Sequence, residues 1–277
     1  MEVFLSDLKI KDPKSYNLVK ASLLQKLIRR SMTQEALFIA KKYIEDGQIK
    51  ALKRRLLIIS CEDIGFANLN GFIKVHEAES EEDLLFSTML LSQSFKNREA
   101  DNFLIYTTTM PKDLKIRCDF KNTEIENFKI ILKDLEIWFE SKSKNSLNDL
   151  KEKIEKKITN HPDYQILNLL FEDYLFLTKN KVHGARCLIA LFSLILDRTT
   201  QNLNPPPVSL ISLEMNRFDT VFDFALDMHT PIGKSLNRGI EHWIKEGCVL
   251  VNSWLNPKSI DSLGRLKYPL GAFLNKK

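Results

Sequence analysis

Two histidines stand close to carboxylates in the last third of the sequence. His229 follows Asp227 by two residues, with Thr230 beside it, and His242 directly follows Glu241. Histidine changes its charge near neutral pH, so histidines held by carboxylates could transfer protons in nucleotide or phosphate chemistry. The same residues suit a structural role in which they hydrogen-bond and cap a helix. The sequence favours that role, because no recognisable nucleophile accompanies the histidines.

A helix is predicted from Pro231 to Glu246, because proline suits the first helical turn. At about 100° per residue, its charged and histidine side chains share one face and its apolar side chains lie opposite. Gly239 would cost such a helix roughly 1 kcal/mol relative to alanine, which predicts that this glycine permits a close helix contact. The charged face comprises Lys234, Arg238, Glu241, His242 and Lys245.

The spacing of these residues matches no established metal or nucleotide motif. His242 and Glu246 lie one helical turn apart, but neither an H-E-x-x-H arrangement nor a cysteine ligand accompanies them, so we predict no metal ion. The G-K-S segment at 233–235 resembles the end of a phosphate-binding loop, yet Met228 occupies the position where that loop needs its first glycine. We therefore predict no cofactor, and we expect a non-catalytic protein rather than an enzyme.

Two arginine pairs form a second charged group in the first quarter of the chain. One pair, 29–30, ends a predicted helix, and the other, 54–55, precedes Glu62 and Asp63 on another helix. The favoured interpretation is a salt-bridge network that orients three packed helices, and the alternative is a contact between guanidinium groups and phosphate oxygens. The candidates for DNA or phosphate contact are Arg29, Arg30, Arg54, Arg55, Lys234 and Arg238.

The composition favours a helical protein. The 277 residues include nine glycines and nine prolines, too few for a turn-rich all-β chain or a disordered one. Forty-one basic and 36 acidic side chains give a net charge of +5, which permits anionic partners but is weaker than the basic stripe of a dedicated nucleic-acid-binding protein. Any DNA binding is therefore predicted to be weak and salt-dependent.

The cysteines and the apolar runs indicate where the protein works. Cys61, Cys118, Cys187 and Cys248 lie far apart and form neither a zinc-ligand motif nor a disulfide framework. The longest apolar run, 187–196, is about half the length that crosses a bilayer, and the N-terminus has no run of signal-peptide length. We therefore expect a cytoplasmic protein without a membrane partner.

Three helices are predicted in the first quarter of the chain. Between Ser15 and Arg30 a mostly apolar stripe includes Leu23, Lys26 and Leu27, while Lys20 turns elsewhere. Ser31 opens a capping-box pattern for the second helix, and the third begins at Ile49. The predicted stops of the second and third helices are Gly47 and Gly65.

The rest of the chain also has helical periodicity, with a strongly charged stretch in the middle. That stretch predicts a protruding helical hairpin, and more apolar helices follow it. The predicted fold is all-α, with three parts: a collar-like helical region at 1–111, the charged hairpin at 112–160, and a second helical part at 161–277 that packs on the first.

Part of the helical sequence resembles a known family. Residues 16–68, above all A-S-L-L-Q-K-L-I-R-R at 21–30 and R-R-L-L-I-I-S-C-E-D-I-G-F-A at 54–67, are similar to the helical C-terminal region of the replication-associated recombination ATPases (the MgsA/RarA/WRNIP group) of the clamp-loader clade. The segment S-F-K-N-R-E-A at 94–100 resembles the helix end that follows in that region. The stretch 224–247 resembles a group of bacterial proteins that carry this helical region alone.

The resemblance implies a collar-like domain that oligomerises, with a tetramer favoured, and that works near DNA. The 277 residues contain no Walker motif, so the resemblance does not imply ATP hydrolysis by this chain. The leading hypothesis is a non-catalytic oligomer of DNA replication, recombination or repair that binds DNA or a partner ATPase. The alternatives are a nucleotide- or phosphate-processing enzyme with a site near Asp227, His229 and His242, and an adaptor that docks a protein through its charged hairpin.

Overall fold

The computed structural model describes residues 2–108, 120–141, 144–180, 182, 184–200, 207–208 and 219–254. Helices and helical turns provide the regular structure of these ranges, and the extended pairings within them are two isolated bridges, Phe4 to Thr220 and Lys96 to Ser253. The predicted all-α class is therefore confirmed. None of the helices in these ranges combines the length and the apolar character that a bilayer crossing requires.

The described residues form two compact units. One unit contains residues 2–97 and 207–254, and the other contains residues 98–200. The predicted boundaries after 111 and 160 do not coincide with this division. The reason is that residues 219–254 pack with the N-terminal helices, whereas the charged hairpin packs with the helices that follow it.

The first unit is built around three mutually packed helices, α2, α3 and α6. Leu23 and Leu27, on the predicted apolar stripe of α2, are fully buried in its core. α1 packs on α2, and α5 packs on α4 and α6. The helices are α1 (Leu5–Lys11), α2 (Pro13–Arg29), α3 (Thr33–Glu45), α4 (Ile49–Ile59), α5 (Leu69–Glu77) and α6 (Glu81–Gln93).

The turns between these helices depend on left-handed residues. Gly47 (φ 68°) follows α3 and Gly65 (φ 46°) ends the wide helical turn after α4, so both predicted stops are confirmed. The predicted capping box at Ser31 is wrong: Ser31 has φ 58°, Met32 is the N-cap of α3, and no side chain caps that helix. Ser31 instead closes the end of α2, and its hydroxyl accepts a hydrogen bond from Lys96 at 3.2 Å.

The second unit is organised by an almost wholly buried helix, α11. α11 packs against α7, α8 and α10, and α8 packs on α9 as a hairpin. Arg198, in the last turn of α11, forms ion pairs with Glu99 and with the fully buried Glu124, which ties α7 and α8 to it. The helices are α7 (Glu99–Thr108), α8 (Asn122–Ser141), α9 (Lys144–Ile158), α10 (Tyr164–Lys179) and α11 (Arg186–Arg198).

The last described part of the first unit differs from its prediction. The continuous helix expected from Pro231 to Glu246 is wrong, because Asn237 adopts φ 54° and ends α12 (Pro231–Ser235). The chain then resumes as α13 (Ile240–His242), followed by a wide helical turn at 243–247. The close contact predicted at Gly239 is also wrong, since a Cβ there would meet no atom within 4 Å.

Candidate functional site

The centre of the first unit is an ion pair between α2 and the turn after α4. The Asp63 side chain is fully buried and accepts bonds from Arg29 Nε at 2.8 Å and Arg29 Nη2 at 3.3 Å. Gln25 Nε2 donates a third bond to this carboxylate at 2.7 Å, and Arg55 in turn donates to the Gln25 carbonyl oxygen. The forked guanidinium and two carboxylate oxygens thus form a bidentate pair that joins α2, α4 and the turn.

Arg29 and Arg30 also hold the C-terminal segment of the unit. Arg29 Nη1 donates to the carbonyl oxygen of Gly247, and Arg30 Nη2 donates to that of Glu246 at 2.7 Å. The Arg30 guanidinium lies 4.2 Å from the ring centre of Phe224. Arg29 is therefore used inside the fold, whereas Arg30 lies at its edge with 18% of its side chain exposed.

A second buried pair lies one turn earlier on α2. Lys26 Nζ lies 2.5 Å from Asp227 Oδ2 and donates to the Ser22 hydroxyl at 2.9 Å. Burial lowers the pKa of Lys26 to about 8, although Asp227 opposes that change. Burial raises the pKa of Asp227, but the bond from His229 and the charge of Lys26 more than offset this and hold that pKa well below its usual range. Asp227 is thus an ionised carboxylate in the interior.

Asp227 also orients a surface histidine. Its Oδ1 atom accepts the backbone N–H of His229 at 2.9 Å and lies 3.2 Å from His229 Nδ1. The His229 side chain is 57% exposed, and its ring contacts the ring of Trp243 edge-on with centres 5.9 Å apart. Because the buried carboxylate of Asp227 binds Nδ1, Nε2 is the ring nitrogen that could bind another partner. This is the arrangement of an aspartate-histidine pair.

The turn after His229 brings the backbone of α12 against Asp227. The Thr230 hydroxyl caps α12 by accepting the N–H of Gly233 at 3.0 Å. A Cβ at Gly233 would lie 1.9 Å from the carbonyl oxygen of Asp227. The backbone at position 233 packs so closely on the backbone of Asp227 that a side chain would not fit. This contact explains the glycine of the G-K-S segment.

The remaining predicted candidates are not gathered around His229. His242 Nε2 lies 3.4 Å from Asp223 Oδ2, and Arg238 binds the same carboxylate as well as the carbonyl oxygens of Asp223 and Leu226. Glu62 lies 3.5 Å from Arg29. Arg54 is half-buried, and Lys234 and Glu241 are exposed.

Buried lysines are the residues that the sequence analysis missed. Lys96 is fully buried and donates to the carbonyl oxygen of Ser92 at 2.9 Å, to that of Ser94, and to the Ser31 hydroxyl, so it caps the end of α6. Burial lowers its pKa to about 7. No local feature of the S-F-K-N segment distinguishes this lysine from an exposed one.

Lys20 was predicted to turn away from the core, and this is wrong. Its side chain is fully buried, with Nζ 4.2 Å from the ring centre of Tyr43 and 2.5 Å from Asp46 Oδ2. Burial raises the pKa of Asp46, but hydrogen bonds from Lys20, Lys9 and Tyr16 outweigh burial and lower it to about 2. Aromatic rings and a carboxylate compensate the ammonium group here, and polarity alone could not reveal them.

This Asp46 cluster should make the first unit sensitive to acid. With a folded pKa of about 2 against 3.8 for the free side chain, ionised Asp46 stabilises the fold above about pH 4 and loses this effect as the pH falls toward 2. We expect Asp46→Asn to cost about 2 kcal/mol at pH 6 and progressively less toward pH 2. Urea unfolding of both proteins across this range measures the difference. Glu45→Gln is the control, and a pH-independent cost of Asp46→Asn would contradict the prediction.

The carboxylates, histidines and thiols of the described residues include no group of three that could hold a metal ion. Cys61, Cys187 and Cys248 are buried, and Cys118 lies outside the described residues. Comparisons with protein-family models, with curated proteins and with solved structures found no match for this chain.

Proposed function

We propose that this protein is a non-catalytic helical scaffold of DNA replication, recombination or repair, which self-associates and binds DNA or a partner ATPase in the cytoplasm. The observation that carries the proposal is the pair of buried ion pairs, Arg29 with Asp63 and Lys26 with Asp227. Lys26, Arg29 and Asp63 lie in the segments that resemble the collar-like region, Asp227 lies in the stretch that resembles the bacterial group, and each charge is compensated within the unit. They support a role in holding a binding surface together.

The surface that best fits DNA lies around Arg30. Its guanidinium stacks on Phe224, whose ring is nearly parallel to that of Phe222 at 5.2 Å, with 7° between the planes. A cation beside stacked aromatic rings can contact both phosphates and exposed bases. This combination favours forked or single-stranded DNA over continuous duplex DNA.

DNA binding should be weak and strongly dependent on salt. With about three to five phosphate contacts, the slope of log affinity against log salt on duplex DNA is expected to be near −3 to −4. Arg30→Gln should reduce the magnitude of this slope by about one. Phe224→Leu should weaken binding to forked DNA but leave the slope unchanged. Fluorescence anisotropy with labelled forked and duplex DNA at several salt concentrations measures both effects. Lys42→Gln is the matched control, because Lys42 also stacks on a phenylalanine, Phe38, elsewhere.

Self-association is the second expected property, with a tetramer as the expected state. The family resemblance supports it, and sedimentation equilibrium at micromolar concentration measures it. A strictly monomeric species over that range would remove the collar interpretation. Absence of DNA binding in 50 mM salt, together with self-association, would leave a partner ATPase or another protein as the ligand.

A second candidate function is a nucleotide- or phosphate-processing enzyme, favoured by the contact between Asp227 and the exposed His229. If His229 transfers protons, His229→Gln should lower phosphate-ester hydrolysis by at least about 100-fold while the protein stays folded. If the protein is a non-catalytic scaffold, His229→Gln and His242→Gln should each cost no more than about 1 to 2 kcal/mol of stability. The wild-type protein should then show no phosphate-ester hydrolysis. Assays with nucleoside triphosphates and p-nitrophenyl phosphate, paired with thermal unfolding, distinguish the two functions.

A further inference from the structure

Helix α8 of the second unit has two isoleucines on its outer side. Ile130 and Ile137 lie seven residues, or two helical turns, apart, so they share one face of the helix. Ile130 is 47% exposed and Ile137 is 53% exposed. The other side of α8 packs in the core of the unit, where Phe128, Ile131 and Leu135 are buried. The helix therefore has apolar side chains on two sides, and the outer pair stays accessible.

The charges beside these isoleucines are separated by sign along the helix. Lys129 and Lys133 lie nearer its N-terminal end, and Glu136 and Glu140 lie nearer its C-terminal end, all four exposed. Lys129 Nζ binds Glu126 Oε1 at 2.7 Å. With Glu126 counted, the first half of this face is still net positive, and the second half is net negative. Within the described residues, the other three charges form no ion pair.

This distribution of charge is unfavourable for α8 by itself. Lys129 and Lys133 stand four residues apart, as do Glu136 and Glu140, and like charges at this spacing repel each other on a helix. Glu140 also lies in the last turn, where the helix dipole disfavours a negative charge. Charges that destabilise their own helix on an exposed face point to a partner that compensates them.

A second copy of α8 compensates these charges if the two helices lie antiparallel. With a two-fold axis near Leu135, Lys133 of one copy lies beside Glu136 and Glu140 of the other, and the symmetry repeats this contact. Ile130 of each copy then meets Ile137 of the other. A parallel pair would place lysine beside lysine and glutamate beside glutamate, so the charges select the antiparallel arrangement.

We propose that the outer face of α8 is a self-association surface, on which a second copy of this chain packs its own α8 antiparallel. The proposal rests on the self-association proposed above and assigns an interface to it. That interface lies in the second unit and outside the segments that resemble the collar-like region. It also uses none of the candidate DNA-binding arginines and lysines, which belong to the first unit.

Reversal of either half of the charge pattern in the full chain tests the proposal. Lys129→Glu with Lys133→Glu gives an acidic face, and Glu136→Lys with Glu140→Lys gives a mainly basic one. In sedimentation equilibrium at micromolar concentration and low salt, each variant alone should associate at least about tenfold more weakly than the wild type, because attraction becomes repulsion at both ends of the interface. An equimolar mixture of the two variants should recover association. Native mass spectrometry with one variant labelled with nitrogen-15 should then show a heterodimer.

Two matched controls accompany these variants. Lys151→Glu with Lys157→Glu makes the same change in charge at exposed positions of α9 and should leave association unchanged. Ile137→Ser should weaken association with an unchanged circular dichroism spectrum, because its side chain is half-exposed. Leu18→Ser on α2 removes an apolar side chain of similar exposure, 50%, and should have no effect on association.

The outcomes separate this interface from the proposed function. Wild-type association that neither reversal weakens, or that the α9 control weakens equally, would overturn the α8 interface and leave self-association standing. A strictly monomeric wild-type protein would remove both. Reduction of a tetramer to a dimer would support α8 as one of its interfaces. Association that follows these charges in a protein without DNA binding would support the interface and contradict only the DNA part of the proposed function.

Discussion

We expect Asp63→Ala to lower the free energy of unfolding of the first unit by about 3 to 5 kcal/mol, the usual cost of removing one partner of a buried ion pair. Asp63 is fully buried and accepts three bonds from Arg29 and Gln25. Without it the charge of Arg29, whose side chain is 3% exposed, would keep only the partly exposed Glu62 as a carboxylate partner among the described residues. Urea unfolding followed by circular dichroism measures the change.

Its sequence neighbour Glu62 provides the control for this effect. The Glu62 side chain is 20% exposed and lies 3.5 Å from Arg29, so water screens its charge and Glu62→Ala should cost about 1 kcal/mol or less. Replacing both buried partners, as in Arg29→Met with Asp63→Leu, should recover much of the loss, because no unpaired charge remains. Similar costs for Asp63→Ala and Glu62→Ala would show that the buried pair does not hold the unit together.

The second large effect is expected from Gly233→Ala. The new Cβ would lie 1.9 Å from the carbonyl oxygen of Asp227 and 2.4 Å from its carbonyl carbon. Asp227 cannot move away freely, because Lys26 and His229 hold its side chain. We expect a loss of about 3 kcal/mol, at the upper end for overpacking, because backbone atoms rather than a flexible side chain are in the way.

Gly239→Ala is the matched control in the same segment. A Cβ at Gly239 meets no atom within 4 Å, and its φ of −86° is open to any residue, so the change should stay within about 0.5 kcal/mol. Thermal unfolding gives the stabilities, and near-ultraviolet circular dichroism reports on Trp243, which contacts His229. Equal stabilities of Gly233→Ala and Gly239→Ala would contradict the prediction.

The positions of the helices follow from local rules that operate within a few residues. The apolar stripe of α2 predicts its buried face, and Leu23 and Leu27 lie there fully buried. Gly47 and Gly65 end their helical segments because each takes a left-handed conformation that other residues adopt at a cost. Such signals made the all-α class and the positions of α2, α3 and α4 predictable from the sequence alone.

Only the tertiary structure decided which charges are buried and with whom they pair. Lys26 meets Asp227 across 201 positions of sequence, and Arg29 meets Asp63 across 34, so no local spacing could match them. Lys20 reads as a surface residue, yet it is buried because Tyr43 and Asp46 surround its ammonium group. The helix expected from Pro231 is cut short where Asn237 turns left-handed and Gly233 packs on the Asp227 backbone. In each case the free energy of a distant contact outweighs the local preference of the chain, which is a small energy per residue.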